Sequence, residues 1–203
     1  MYKNFIIFSL LAGFIFAQPS STSGEQILEA IYQKQKLTNF SRVKNISFKN
    51  IGPSVMSGRV VDISVNPDDP TEFYVAFASG GLWHTKDNGI SFNSIFDNSV
   101  TQNVGEIEVH WPSRTIWVGT GENNSSRSSY SGVGILKSVN NGYSWEHKGL
   151  SDSHHIGKIL VDPNNPDYLV VGVTGHLYSE NDMRGVYISN DGGENWENTL
   201  FIN

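Results

Sequence analysis

Thr85-Lys86-Asp87-Asn88-Gly89-Ile90-Ser91-Phe92 is the stretch from which the fold can be read. It recurs as Ser138-Val139-Asn140-Asn141-Gly142-Tyr143-Ser144-Trp145 and again as Ser189-Asn190-Asp191-Gly192-Gly193-Glu194-Asn195-Trp196, at intervals of about 50 residues. A second landmark keeps the same period. Gly58-Arg59, Gly105-Glu106 and Gly157-Lys158 each open a short β-rich run. Two independent landmarks on one period argue against chance. Each octet suits a tight turn between strands. Asp87, Asn140 and Asp191 can accept hydrogen bonds from their own turn. Gly89, Gly142 and Gly193 tolerate positive φ. Phe92, Trp145 and Trp196 close each octet with a large apolar ring whose natural place is between packed sheets.

Each repeat holds four strand-like runs: 59–65, 73–78, 82–85 and 91–96; then 106–110, 115–120, 133–138 and 144–147; then 158–161, 168–173, 185–189 and 196–201. The Pro-flanked turns Asn66-Pro67-Asp68-Asp69-Pro70 and Asp162-Pro163-Asn164-Asn165-Pro166 occupy the same place in the first and third repeats. Four antiparallel strands per repeat predict an all-β fold, with residues 46–203 forming three blades of an incomplete β-propeller. A closed ring typically needs ~4–8 blades. The expected partners of this piece are therefore the remaining blades of the same, longer protein. The run 46–51 is a candidate for the N-terminal strand that completes a last blade.

Residues 1–17 read as a secretory signal peptide: Lys3, then an apolar run from Phe5 to Phe16, then the small Ala17. Residues 18–45 form a leader, in which Ile27, Leu28 and Ile31 at helical spacing predict a short helix. No second long apolar run follows, so no membrane span is expected after cleavage, and the location is expected to be secreted or periplasmic. The chain of 203 residues carries 20 acidic and 14 basic side chains, a net charge of −6, which argues against a nucleic-acid partner. Its lack of Cys excludes disulfides, thiol catalysis and Cys-ligated zinc. No cofactor and no metal are expected.

With these residues in place, the octets resemble the Asp-box, or bacterial-neuraminidase, repeat. Asn140 stands for the usual Asp in the second copy, and Asn195 for the usual Thr or Ser in the third. Ile51-Gly52-Pro53, Ser57-Gly58-Arg59, Ser79-Gly80-Gly81-Leu82-Trp83, Gly119-Thr120-Gly121-Glu122-Asn123, Asp152-Ser153-His154-His155-Ile156-Gly157 and Gly175-His176-Leu177-Tyr178-Ser179 look like exported bacterial sortilin-like propellers, often labelled glycosyl hydrolases. The resemblance implies several further blades and makes the octets folding devices rather than catalytic ones. It does not carry an active site across. Xyloglucan-active propellers, similar in architecture, have an Asp two residues before a Gly-Gly in the first blade, where this chain has Ala78. The Arg-Ile-Pro of sialidases is absent.

Alternating strand direction places the longest inserts, 121–131 and 174–183, on one rim with the links between blades, opposite the octets. Long loops on one face of a rigid scaffold are the usual place for a site. The rim candidates are Arg59, Glu122, Arg127, Tyr130, Asp152, His154, His155, His176, Tyr178 and Arg184, with the catalytic set, if any, unknown. Carboxylates beside arginines and aromatics suit a carbohydrate or peptide ligand. For Glu122 and Arg127 the competing reading is an ion pair that orders their own loop, and for the histidines it is turn hydrogen bonding. The reading is thus an exported binding module, or alternatively a glycoside hydrolase whose carboxylates lie partly beyond Asn203.

Overall fold

The computed structural model describes residues 22–46 and 58–202. The signal peptide and nearly all of the run 46–51 lie outside them. One helix precedes three four-stranded antiparallel sheets in β1-β2-β3-β4, β5-β6-β7-β8 and β9-β10-β11-β12 order. The first is β1 (Val60–Val65), β2 (Phe73–Phe77), β3 (Gly81–Thr85) and β4 (Asn93–Ser94). The second is β5 (Val104–His110), β6 (Thr115–Thr120), β7 (Ile135–Ser138) and β8 (Glu146–His147). The third is β9 (Ile156–Asp162), β10 (Asn165–Val173), β11 (Gly185–Ser189) and β12 (Glu197–Phe201). These are β-propeller blades, each a sequential meander, with β5 packed between β1 and β9 where the blades meet.

The core lies between the blades rather than within them. On β6 every residue is buried, and the alternation of side chains along a strand divides them between two interfaces. Ile116 and Val118 join Tyr74, Leu82 and Phe96 of the first blade. Trp117 faces Ile159, Leu169 and Val171 of the third. The flanks without a described neighbour look different: Ile63 and Val65 on β1, and Leu160 and Leu200 on the third blade, are exposed.

The octets are the turns β3–β4, β7–β8 and β11–β12, and their substitutions compensate one another. In the first, Ser91 donates through N (2.9 Å) and Oγ (2.6 Å) to the two Asp87 carboxylate oxygens. In the second, Asn140 keeps the acceptor for Ser144 N at 3.0 Å but donates its amide to Ser144 Oγ at 2.8 Å, so the hydroxyl has changed roles. In the third, Asn195 supplies the donor, its Nδ2 lying 2.7 Å from Asp191 Oδ2. The turn glycine is at φ +81° in the first two and +85° in the third, the left-handed region in which a Cβ is strained.

Each closing Trp bonds back to the preceding blade. Trp145 Nε1 donates to the Ile95 carbonyl at 3.2 Å and its ring meets Phe96 edge-on at 4.8 Å. Trp196 Nε1 donates to the Lys148 carbonyl at 2.6 Å. In both cases the acceptor stands three residues beyond the preceding octet's aromatic, so the contact repeats with the sequence.

The helix α1 (Gly24–Phe40) is longer than its apolar spacing suggested. A capping box starts it, with Ser23 Oγ accepting from Gln26 N and Gln26 Oε1 accepting from Ser23 N. Only Gly24 is buried, held against the 3-10 turn Ser151–Ser153, where the Gly24 N–H meets the Asp152 carboxylate.

Trp196→Ala is expected to lower unfolding free energy by ~3–5 kcal/mol, as truncation of a packed aromatic does. Trp196→Phe keeps most of the packing and loses the hydrogen bond, for about 1 kcal/mol. Urea unfolding monitored by circular dichroism measures both, and an unchanged midpoint in Trp196→Ala would contradict the blade contact.

Candidate functional site

The two long inserts and the two links between blades meet on one face. Gly132 N donates to the His154 carbonyl at 2.7 Å, Thr174 N to the His155 carbonyl at 3.0 Å and Gly121 N to the Asn103 carbonyl at 3.0 Å. Gly121 sits at φ +83° directly against the His154 carbonyl, where any Cβ would collide. Tyr178 of the third-blade insert reaches over to the second, its hydroxyl donating to the Ser126 carbonyl at 3.1 Å.

Glu122 is the centre of this face. Its carboxylate is fully buried, yet it is paired and hydrogen-bonded as a buried charge must be. Arg59 Nη2 lies 2.8 Å from Oε2, the Asn124 N–H donates to Oε1 at 2.8 Å, and Ser129 Oγ donates to Oε2. The expected competitor, a pair between Glu122 and Arg127 within one loop, does not form. Arg59, from the start of β1, takes the carboxylate, while Arg127 is exposed. The Glu122 carbonyl faces the buried His155 ring, whose pKa is lowered first by burial. Among the described residues, His155 Nδ1 and Ser153 Oγ are buried without a hydrogen-bond partner.

The other candidates divide. His154 and His176 stack at 3.6 Å and 19°, and burial, then the neighbouring imidazole, lowers the His154 pKa. Stacked rings turn their nitrogens outward, and among the described residues no three His, Asp or Glu side chains are placed to share a metal ion. Arg184 ties down its own loop, with Nε 2.9 Å from the Thr174 carbonyl and Nη2 3.1 Å from that of His176. Asp152 caps α1. Tyr130 and Tyr178 remain exposed on the face.

Two ionic networks escaped the sequence reading. The innermost strands bring Asp62, Glu106 and Lys158 together, one from each blade. Lys158 Nζ contacts Glu106 Oε1, and Asp62 Oδ2 accepts from Ile107 N at 3.2 Å. Burial, with the Asp62 charge adding to it, outweighs Lys158 and pushes the Glu106 carboxyl up to about 7. Part of the signal was present, since Glu106 and Lys158 hold equivalent places in the repeat. Arg59, at the same place in the first blade, turns to Glu122 instead, and the third member is Asp62, three residues further along. The second network lies on the side of the octets, around buried Glu72, which receives Arg114 Nη1 at 2.7 Å, His84 Nε2 at 3.0 Å and Asn66 Nδ2 at 2.9 Å. Burial alone would raise the Glu72 carboxyl, but these donors outweigh it and hold it at about 2.

No protein-family model matches the chain, and no curated protein matches it. Solved structures do. The chain is similar to an ancestral GH74 enzyme at 20% identity and TM-score 0.53, over 70% of this chain and 18% of that one. It is similar to a GH74 enzyme of Niastella koreensis at 20% and 0.52, over 68% and 22%. It is also similar to the GH74 xyloglucanase from Xanthomonas campestris at 16% and 0.50, over 70% and 21%. Identities this low show the β-propeller fold alone, and the chain spans about a fifth of the length of each.

The Glu106 carboxyl holds its proton up to about 7 in the fold against 4.5 ordinarily, so the folded state binds more protons between those values. Its contribution is complete below pH 4.5 and declines as pH rises to about 7. Other groups, the buried histidines among them, titrate over the same range, so the test is the difference. The native urea midpoint should drop relative to that of Glu106→Gln as pH rises from 4.5 to about 7, and parallel curves would refute the assignment.

Proposed function

We propose that the chain is a binding module: the N-terminal part of a longer, exported, sortilin-like propeller whose loop face engages a carbohydrate or peptide chain. The observation that supports this reading is the junction of both inserts over buried Glu122, which the half-exposed Arg59 pairs. The pair fixes the loops, and the fixed loops present Tyr130, Tyr178 and Arg127 to solvent. Preorganised aromatic and polar side chains lower the ordering cost of binding. Carbohydrate is the favoured ligand class, because flat exposed tyrosines beside polar loop groups suit the mixed apolar and hydroxylated faces of a sugar. The likeness in fold to GH74 enzymes agrees with that preference.

A hydrolase is the second reading, and Glu122 is the observation that keeps it open: a carboxylate at the centre of the loop face. Against it, glycoside hydrolysis needs two carboxylates about 5–10 Å apart, one of them free to exchange a proton. Glu122 is closed in by Arg59, Asn124 and Ser129, and Ala78 supplies no acid.

Calorimetric titration with a panel of neutral oligosaccharides and peptides tests the module. The expected result is saturable binding without turnover, weakened about tenfold, or ~1.4 kcal/mol, by Tyr178→Ala. Product release that is lost in Glu122→Gln would establish the hydrolase instead. Binding confined to peptides would replace the favoured ligand class.

A further inference from the structure

The wedge between the outer strands of neighbouring blades is built twice, and its two copies differ. Between blades two and three it is filled by charge. Lys148 Nζ, nearly buried, bridges Glu146 at 3.1 Å and Glu194 at 2.5 Å. The repeat places Asn93, Ile95 and Tyr143 at the equivalent positions between blades one and two. Among the described residues no ion pair closes that copy, and it stands open as a cleft of about 920 Å³ that all three line.

The three side chains have the chemistry of a sugar subsite. An amide offers both donors and an acceptor, and Tyr143, 81% exposed, presents a flat ring at the mouth. Asn93 and Asn98, both at the cleft, make no side-chain hydrogen bond among the described residues. Asn141 offers its Nδ2, because its Oδ1 is occupied by the Tyr74 hydroxyl at 2.6 Å. The lining therefore offers the amides of Asn93, Asn98 and, in part, Asn141 beside an aromatic and an aliphatic surface, with His84, Lys86 and Asp97 also at its wall. Among the described residues Lys86 is the one Lys or Arg of the lining, and Asp97 lies in the same cleft. A polyanion therefore finds little net charge, while an apolar ligand would strand the amides unpaired.

We propose that the cleft between blades one and two binds a neutral oligosaccharide, with Asn93, Asn98 and Asn141 hydrogen-bonding its hydroxyls and Tyr143 stacking on a sugar ring. This site runs along the outer wall from the octet turns to the start of the first link between blades, and its lining includes none of Glu122, Arg127, Tyr130 or Tyr178. The inference does not depend on the function proposed for the loop face.

The test is an amide-resolved NMR titration of the full chain with cellotetraose, xylotetraose, mannotetraose and laminaritetraose. At least one is expected to shift the resonances of Asn93, Asn98 and Tyr143. Tyr143→Ala should weaken that sugar about tenfold, while Tyr178→Ala should leave this site unchanged. A triple variant, Asn93→Glu, Ile95→Lys and Tyr143→Glu, imports the ionic filling that the fold already accepts one blade further on. It should remain folded by circular dichroism and abolish the shifts. Absence of shifts at these residues with all four sugars would overturn the proposal. So would shifts that persist in the folded triple variant, or shifts confined to the loop face.

Discussion

Trp145 and Trp196 each give an indole N–H to a backbone carbonyl of the blade before, and the rest of the structure is arranged around that contact. A four-stranded sheet cannot bury its two faces alone, so each blade needs a neighbour on either side. The octet turn solves the positioning problem. A side-chain network inside the turn fixes its path, glycine at positive φ sharpens it, and the closing ring then lands on the adjacent sheet. Because the acceptor is three residues past the preceding octet's aromatic, the repeat in sequence becomes a repeat in space.

That stacking explains features that have no local cause. Bringing the inner strands together forces Asp62, Glu106 and Lys158 into one ionic cluster, at the cost of a carboxyl that holds its proton up to about 7. Stacking also carries Arg59 of the first blade to Glu122 of the second, and so decides which side chains remain free on the loop face. On the outside, the same geometry opens a wedge at both junctions between the described blades, and the side chains at three equivalent positions determine whether charge fills it.

Much of the fold was legible because it is periodic. The octets and the Gly-led runs located every strand, and errors collected at the ends. The outermost strands of the first two blades shrink to Asn93–Ser94 and Glu146–His147, since an edge strand pairs on one side only and follows its turn away from the sheet. β10 begins at Asn165 rather than near Tyr168, crossing Pro166 through an irregular register that a Pro-flanked turn does not advertise. The helix starts where Ser23 and Gln26 cap it and runs on to Phe40, past Ile31, the last residue of the apolar spacing. The site was harder to read. Its candidate residues gather on one face as loop lengths implied, yet the partner of Glu122 came from another blade, and proximity in sequence favoured Arg127. Two groups with unlike positions in the repeat offer no period to follow.

Hydrogen exchange of the five tryptophan indole N–H groups, resolved by NMR in the native chain, tests the blade stacking most directly. The Trp145 and Trp196 indoles, bonded across the two junctions, should exchange only on the timescale of blade separation and be protected together. Exchange of both at the rate of a free indole would contradict it, because no arrangement of blades joined through these rings could then be populated.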